Sequence, residues 1–327
     1  MRPLRIGLLG CGTVGAGFVR LVARERERIR ERYGIDLDVA RILVRDITKE
    51  RADIDRALLT NTALDVLDAD CDLIVEAIGG VHTAGSFVRR AIARGHDVVT
   101  ANKALLAECG RELLREAEGR GVAIGFEASV CGGVPVIGAL RHGLAGDTIE
   151  RITGILNGTC NYILSRMDDG FGFAEALACA QERGFAEADP SLDLSGEDAA
   201  QKLRILADVA FDVPVRSVRV CGIDARTRGK LVAEATRVAG GVDLVVEPRT
   251  LHPFASVVDE QNAVIVHGRA VGEIWLSGRG AGSMPTAAAL LADVLEISSR
   301  ASRAARPTTR WPSAQRVSSG RTAVLSG

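Results

Sequence analysis

The chain has 327 residues, 47% hydrophobic and 25% charged, the make-up of a soluble globular protein with room for about two domains. A formal net charge of −1 gives no overall attraction to nucleic acid or to an anionic membrane surface. The longest charge-free run, Ile152 to Ser165, has 14 residues and is too short to cross a bilayer, and no apolar leader with a cleavage site opens the chain, so a cytoplasmic protein is expected.

"LRIGLLGCGTVGAGFVRLVARERERIRERYG" begins as an apolar strand, turns through glycines and continues as a long amphipathic helix. Gly10, Gly12 and Gly15 make G-x-G-x-x-G at the strand-to-helix junction, with Thr13 and Val14 between them. Glycines there allow a tight turn and close backbone approach, and the helix N-terminus offers free N–H groups to a pyrophosphate. Further strand-like runs fall at Val39–Val44, Leu73–Ile78 and Val98–Thr100, with helical patterns at Thr83–Arg94 and Ala104–Glu118. Such alternation predicts an α/β fold with a Rossmann-type, doubly wound parallel sheet over residues 1–134. At the end of the second run, "ILVRD", an acidic residue would hold the ribose hydroxyl of NAD and an arginine would accommodate the phosphate of NADP. Arg45 precedes Asp46, so the signal is split, and the balance favours NADP over NAD.

Only four of the 41 basic residues are lysines: Lys49, Lys103, Lys202 and Lys230. Lysine loses its proton when its surroundings lower its pKa, and arginine does not, so Lys103 and Lys202 stand out as candidates for proton chemistry. Lys202 follows five carboxylates, Glu187, Asp189, Asp193, Glu197 and Asp198. Ser195 with Asp198 reads as a capping box, and Asp198 with Lys202 as an i,i+4 pair, features that an ordinary surface helix also has. Neither explains the acids crowded before that helix. Seven scattered cysteines form no C-x-x-C pair, no H-E-x-x-H occurs, and the five histidines have no ligand spacing, so neither a disulfide framework nor structural zinc is expected. Cys131, a conceivable nucleophile, has no histidine partner in sight.

Five motifs in order, "TANKALLA" (Thr100–Ala107), "FEASVCGGVPVI" (Phe126–Ile137), "GILNGTCNYIL" (Gly154–Leu164), the acidic stretch, and "GRGAGSMPTAAALLADVL" (Gly278–Leu295), closely resemble homoserine dehydrogenase. The resemblance runs from Leu4 to about Arg300 and implies NAD(P)H-dependent interconversion of L-aspartate 4-semialdehyde and L-homoserine. It implies Lys202 as general acid/base, Lys103 beside the nicotinamide and the reacting oxygen, and Glu187 and Asp198 at the substrate amino group. Gly158 and Thr159 would line the substrate pocket, and Asp193 would orient the lysines or complete the charge balance there. Thr100, Gly184, Glu187 and Gly282 would join the glycine loop and Arg45 at the cofactor. A monovalent cation, Na+ or K+, would sit on Glu127 and the main-chain oxygens of Val130, Gly132 and Val134, since hard cations favour oxygen ligands. Desolvation and a neighbouring ammonium are expected to lower the lysine pKa toward neutrality.

The second domain, 135–282, is expected as a mixed α+β substrate and dimerisation domain with strands at Arg151–Ile155, Lys230–Thr236, Val242–Val246, Ala263–Val266 and Val271–Leu276. A helix at about 286–297 should return to the first domain. The sequence departs from the family at Asp224 to Arg228, too short for the helix that members carry there, so apolar sheet surface should be left exposed. Residues 298–327, basic and without hydrophobic period, read as a disordered tail rather than the amino-acid-sensing domain that members often add. The expected partners are the small-molecule substrate and a second copy, with no nucleic acid and no membrane. Two alternatives stay open: a reductase of another amino-acid aldehyde, and a catalytically weak dinucleotide-binding scaffold.

Overall fold

The computed structural model describes residues 3–303, with side chains as far as Ser299. Its first half alternates strand and helix: β1 (Leu4–Leu9), α1 (Thr13–Tyr33), β2 (Leu37–Leu43), β3 (Leu59–Thr60), α2 (Leu64–Leu67), β4 (Leu73–Glu76), α3 (His82–Ala93), β5 (Asp97–Thr100), α4 (Lys103–Arg120) and β6 (Ile124–Gly125). All neighbouring strands pair in parallel, in the order β3-β2-β1-β4-β5-β6. This is the doubly wound order, and its crevice opens where the order reverses, at the carboxyl ends of β1 and β4.

The second half continues with α5 (Val136–Gly138), extended by a π-helical turn through Gly143, then β7 (Ile149–Ile155), α6 (Gly158–Asp168), α7 (Phe173–Glu182), α8 (Ser191–Leu194) and α9 (Glu197–Ala210). Five strands follow: β8 (Val215–Val220), β9 (Lys230–Val238), β10 (Gly241–Arg249), β11 (Gln261–Gly268) and β12 (Gly272–Arg279), before α10 (Ser283–Arg303). Their sheet is ordered β12-β11-β7-β9-β10-β8 and is mixed, since β8 runs parallel to β10 while the other pairs are antiparallel.

Local sequence explains the helices that carry the site. In α1 the buried residues Phe18, Val19, Leu21, Val22 and Ile29 make one face, and Gly34 (φ 67°) ends the helix with its N–H on the Arg30 carbonyl. Asn102 caps α4 by accepting from the Leu105 N–H at 3.1 Å, and Asn157 caps α6 by accepting from the Cys160 N–H at 2.7 Å. One apolar cluster runs without a break from Val98, Leu105 and Leu113 of the first sheet and α4 to Leu203 and Leu206 of α9 and Val246 of β10. Each such fully buried leucine or valine contributes about 1.5–3 kcal/mol, so this shared core holds the two sheets in one arrangement. Arg111 on α4 adds a contact to Asp208 on α9 at 2.6 Å.

Two expectations change here and a third holds. Helix α9 has no serine cap: Gly196 (φ 84°) turns the chain into it, and the Ser195 hydroxyl only accepts from the Glu197 N–H at 3.4 Å. Glycine fits because an added Cβ would lie 3.0 Å from the Cys221 carbonyl in a left-handed conformation that other residues rarely adopt. Residues 298–303, expected in the tail, are helical instead, because α10 continues to Arg303. The Ser298 and Ser299 hydroxyls bond back to the Val294 and Leu295 carbonyls at 2.6 and 2.7 Å, so their polarity is satisfied within the helix. The rest of that expectation, 304–327, lies outside the described residues. Where a helix is absent, Asp224–Arg228 form a tight turn tied by the Asp224 side chain to the Arg226 N–H and the Thr227 hydroxyl. The adjoining β8 is an edge strand with Val218 50% exposed, the uncovered apolar surface anticipated there.

Candidate active site

The nucleotide end of the crevice is made of backbone. Gly10 has φ 100°, and a Cβ on it would meet the Ala77 carbonyl at 2.7 Å; a Cβ on Gly15 would overlap the Gly10 carbonyl. Around Gly12 nothing lies within 4 Å of an added Cβ, so the loop faces open space. Thr13 and Val14 begin α1, whose first turn carries no acidic residue. That surface fits a pyrophosphate: free N–H groups, a helix N-terminus and no competing negative charge. Gly282 (φ 112°) comes to the same place, because the next residue, Ser283, donates its hydroxyl to the Thr13 carbonyl at 2.7 Å.

At the ribose side Arg45 is exposed just beyond β2. The Asp46 Oδ1 accepts from the Thr48 N–H (2.7 Å) and hydroxyl (2.6 Å), and these bonds hold its carboxyl below the usual range. Arg51, which sequence reasoning missed, donates to the Cys11 carbonyl of the glycine loop (3.3 Å) and to the carbonyls of Asp46 (3.0 Å) and Lys49 (2.9 Å). It straps the 46–49 loop to the glycine turn across about 40 residues of sequence, which is why no local pattern announces it.

The opposite end is made of side chains. Asp198, almost wholly buried, is met on Oδ1 by Lys103 Nζ at 2.8 Å and on Oδ2 by Lys202 Nζ at 2.7 Å. Lys202 also donates to the Leu156 carbonyl at 2.8 Å. The Asn157 amide donates to both Asp198 Oδ2 (2.7 Å) and Asp193 Oδ1 (2.6 Å) while its own oxygen caps α6. Helix α4 thus delivers Lys103, α9 delivers Asp198 and Lys202, α8 delivers Asp193, and the β7–α6 turn delivers the amide that joins the two acids. Asn157 stands inside a quoted motif, but only its contacts 36 and 41 residues away reveal its role.

Electrostatics correct one expectation. Burial, the largest single influence, works to lower the Lys202 pKa, but the surrounding groups, Asp198 foremost, together outweigh it, and the ammonium ends above the ordinary lysine value. Burial would raise Asp198, and the two ammoniums overcome that, bringing its carboxyl down to about 2. Lys202 is therefore a charged, proton-loaded group at neutral pH. Asp193 moves the other way, raised by burial against the bond from Asn157.

Asp198, expected at the substrate amino group directly or through water, has both oxygens engaged by the two lysines and the Asn157 amide. Thr159 donates its hydroxyl to the Phe185 carbonyl at 2.6 Å, fastening the turn that carries Gly184 (φ 73°) and Glu187. Glu187 is exposed there, and no hydrogen bond or ion pair among the described residues engages its carboxylate. Gly158 opens α6 where a Cβ would meet the Glu260 carbonyl at 2.6 Å. Of the remaining acids, Asp189 accepts from the Ser191 N–H at 3.1 Å, and Glu197 is exposed. Thr100 turns its hydroxyl inward, away from the crevice, onto Glu76 at 2.6 Å. Glu127 caps the following helix, accepting from the Ile137 and Gly138 N–H groups at 2.8 and 2.6 Å. Cys131 is buried with its pKa pushed up to about 11 by desolvation, a protonated thiol rather than a nucleophile. Among the described residues no group of three or more His, Cys, Asp or Glu is placed to hold a metal ion, and no helix is long and apolar enough to cross a membrane.

A doubly wound sheet whose glycine turn is shaped for a pyrophosphate, facing a part-buried lysine ammonium, is the arrangement of a dinucleotide-dependent oxidoreductase. The comparisons agree. The family profile described as "Homoserine dehydrogenase" matches residues 135–295, and that described as "Homoserine dehydrogenase, NAD binding domain" matches 10–127. The homoserine dehydrogenase of Bacillus subtilis (strain 168) is 40% identical over 317 residues, 91% of this chain and 73% of its own length. The crystal structure of a homoserine dehydrogenase from Thiobacillus denitrificans superposes with TM-score 0.85 at 41% identity, covering 95% of this chain and 76% of that one. A hyperthermophilic archaeal homoserine dehydrogenase in complex with NADPH gives TM-score 0.79 at 27% identity, covering 91% and 98%. The chain belongs to the homoserine dehydrogenase family and is an NAD(P)-dependent oxidoreductase interconverting L-aspartate 4-semialdehyde and L-homoserine.

Proposed function

We propose that Lys202 is the general acid/base of this reaction and that Lys103 shares the reacting oxygen with it. The observation that carries this reading is the Lys103–Asp198–Lys202 bridge, with both ammoniums within 2.8 Å of one buried carboxylate. A reduced nicotinamide bound over the glycine turn would supply the hydride. Lys202 gives the carbonyl oxygen, on which negative charge grows during reduction, the proton held on Nζ. In the reverse direction Lys202 takes the hydroxyl proton, a step that its raised pKa favours only at alkaline pH. Asp198 acts as the positioning group for both lysines, and Asp193 reaches it through Asn157. Glu187, with an unengaged carboxylate, holds the substrate ammonium, and Gly158 and Thr159 shape the pocket beside it.

Glu187→Gln should raise the KM for homoserine about tenfold, the loss of one charge-assisted contact, and change kcat less. A KM within twofold of the parent enzyme would remove Glu187 from the amino-group site.

NADP is the preferred cofactor in this reading. Support comes from Arg45, exposed beyond β2, and from the hydrogen bonds of Asp46 Oδ1 to Thr48, which tie up one of the oxygens that would accept from a ribose hydroxyl of NAD. Na+ or K+ binds the turn from Glu127 through Val130 and Gly132 to Val134. The buried carbonyls of Val130 and Gly132 accept no hydrogen bond from the described residues and are open to such an ion. The chain works in the cytoplasm as a homodimer, in which the half-exposed Trp275, tilted against Phe254 on the open face of the second sheet, becomes covered.

A further inference from the structure

Glu76 is the most deeply buried acid of the chain, with 0% exposure, and it stands at the carboxyl end of β4, level with Leu9 of β1 and Thr100 of β5. Its Oε1 accepts from the N–H groups of Ile78 (2.8 Å) and Gly79 (3.1 Å), and its Oε2 from the Thr100 hydroxyl (2.6 Å). Among the described residues no cation pairs with it. Thr100 Oγ1 in turn accepts from the Asn102 N–H at 3.0 Å. Asn102 donates its side-chain amide to the Gly80 carbonyl (2.6 Å) and caps α4 at Leu105. The network therefore closes a ring between the β4–α3 turn and the β5–α4 turn, the two turns that border the crevice. The first helical residue after that cap is Lys103.

A buried carboxylate without a cation contributes little net stability, because its desolvation offsets most of what its hydrogen bonds return. What it does supply is geometry: three donors from two separate turns converge on one rigid group. We propose that Glu76 is a positioning residue for Lys103, setting where α4 begins and hence where the ammonium stands against Asp198 and the reacting oxygen. This rests on the assignment of Lys103 to the reacting end of the crevice.

The amide in Glu76→Gln keeps the size but cannot accept on both sides. Its oxygen can serve the two N–H groups only if its NH2 faces the Thr100 hydroxyl, which then loses its acceptor. A kinetic double-mutant cycle with Lys103→Met tests the idea on the full chain. Glu76→Gln should lower kcat about ten- to hundredfold when Lys103 is present, the scale expected of a misplaced catalytic group. In the Lys103→Met background it should lower the residual kcat less than about threefold, because both changes act on the same group. An equal factor in both backgrounds, or a lower melting temperature with kcat unchanged, overturns the proposal while leaving Lys103 in its role. Near-normal kcat in Lys103→Met alone overturns the Lys103 assignment and the proposal together. Should Glu76→Gln not fold, Thr100→Val, which breaks the same ring at its middle link, replaces it in the cycle with the same expected and contrary results.

Discussion

At the β1–α1 turn the recognising groups are backbone N–H groups shaped by glycine, and every residue involved lies within Gly10–Gly15. Across the crevice the groups proposed to react are side chains from four separate elements, gathered by Asp198 and Asn157 over 36 to 95 residues of chain. The first arrangement is local and survives changes elsewhere; the second depends on the packing of α4 against α9 and fails if one member is lost. Cofactor binding and proton transfer should accordingly separate on mutation.

The largest effect should come at the centre of the second region. Asp198→Asn leaves two ammoniums facing each other with Asp193, held on Asn157, as the remaining counter-charge, at a cost of about 3 kcal/mol in stability and at least about a hundredfold in turnover. The pH dependence follows from the directions of the two shifts. Asp198, held down near 2, contributes stability that is present above the ordinary carboxylate range and is lost as pH falls toward 2. Lys202, raised, contributes stability present below the ordinary lysine value and lost as pH rises through its folded value. Urea unfolding across pH should show both losses in the parent protein and neither in Asp198→Asn. A variant with parental midpoints and an unchanged profile would show that the bridge is not what holds the lysines.

A smaller effect is expected in the first region. Arg45→Ala should raise the KM for NADPH about tenfold, an arginine–phosphate contact at a partly solvated site, and leave that for NADH nearly unchanged. An equal change for both cofactors would assign Arg45 to the adenine or to the fold and end the NADP preference.

The same contrast decides what could be read before the structure. The glycine turn, the strand–helix alternation and the strands β7 and β9 to β12 are local patterns of apolar period and turn residues, and they stand where expected within a few positions. Strands β3 and β6 have two residues each, and β8 is exposed along its length, so none carries a hydrophobic period. The acidic stretch is conspicuous, yet its five carboxylates part company: Asp198 and Asp193 join the lysine network, Asp189 closes a turn, Glu187 is exposed with the free carboxylate proposed to hold substrate, and Glu197 faces solvent. Asn157, Arg51 and Glu76 act through partners distant in sequence. The direction of the Lys202 shift was missed for the same reason, since it depends on how near Asp198 lies compared with how deep the ammonium is buried.

The most direct test is Lys202→Ala, with steady-state turnover and NADPH binding measured on the same preparation. Turnover should fall at least about a hundredfold, the scale of a general acid/base contribution, while the Kd for NADPH stays within a few-fold because the dinucleotide rests on the glycine turn. Near-normal turnover, or a loss of NADPH affinity as large as the loss of turnover, would contradict the division of labour between the two regions.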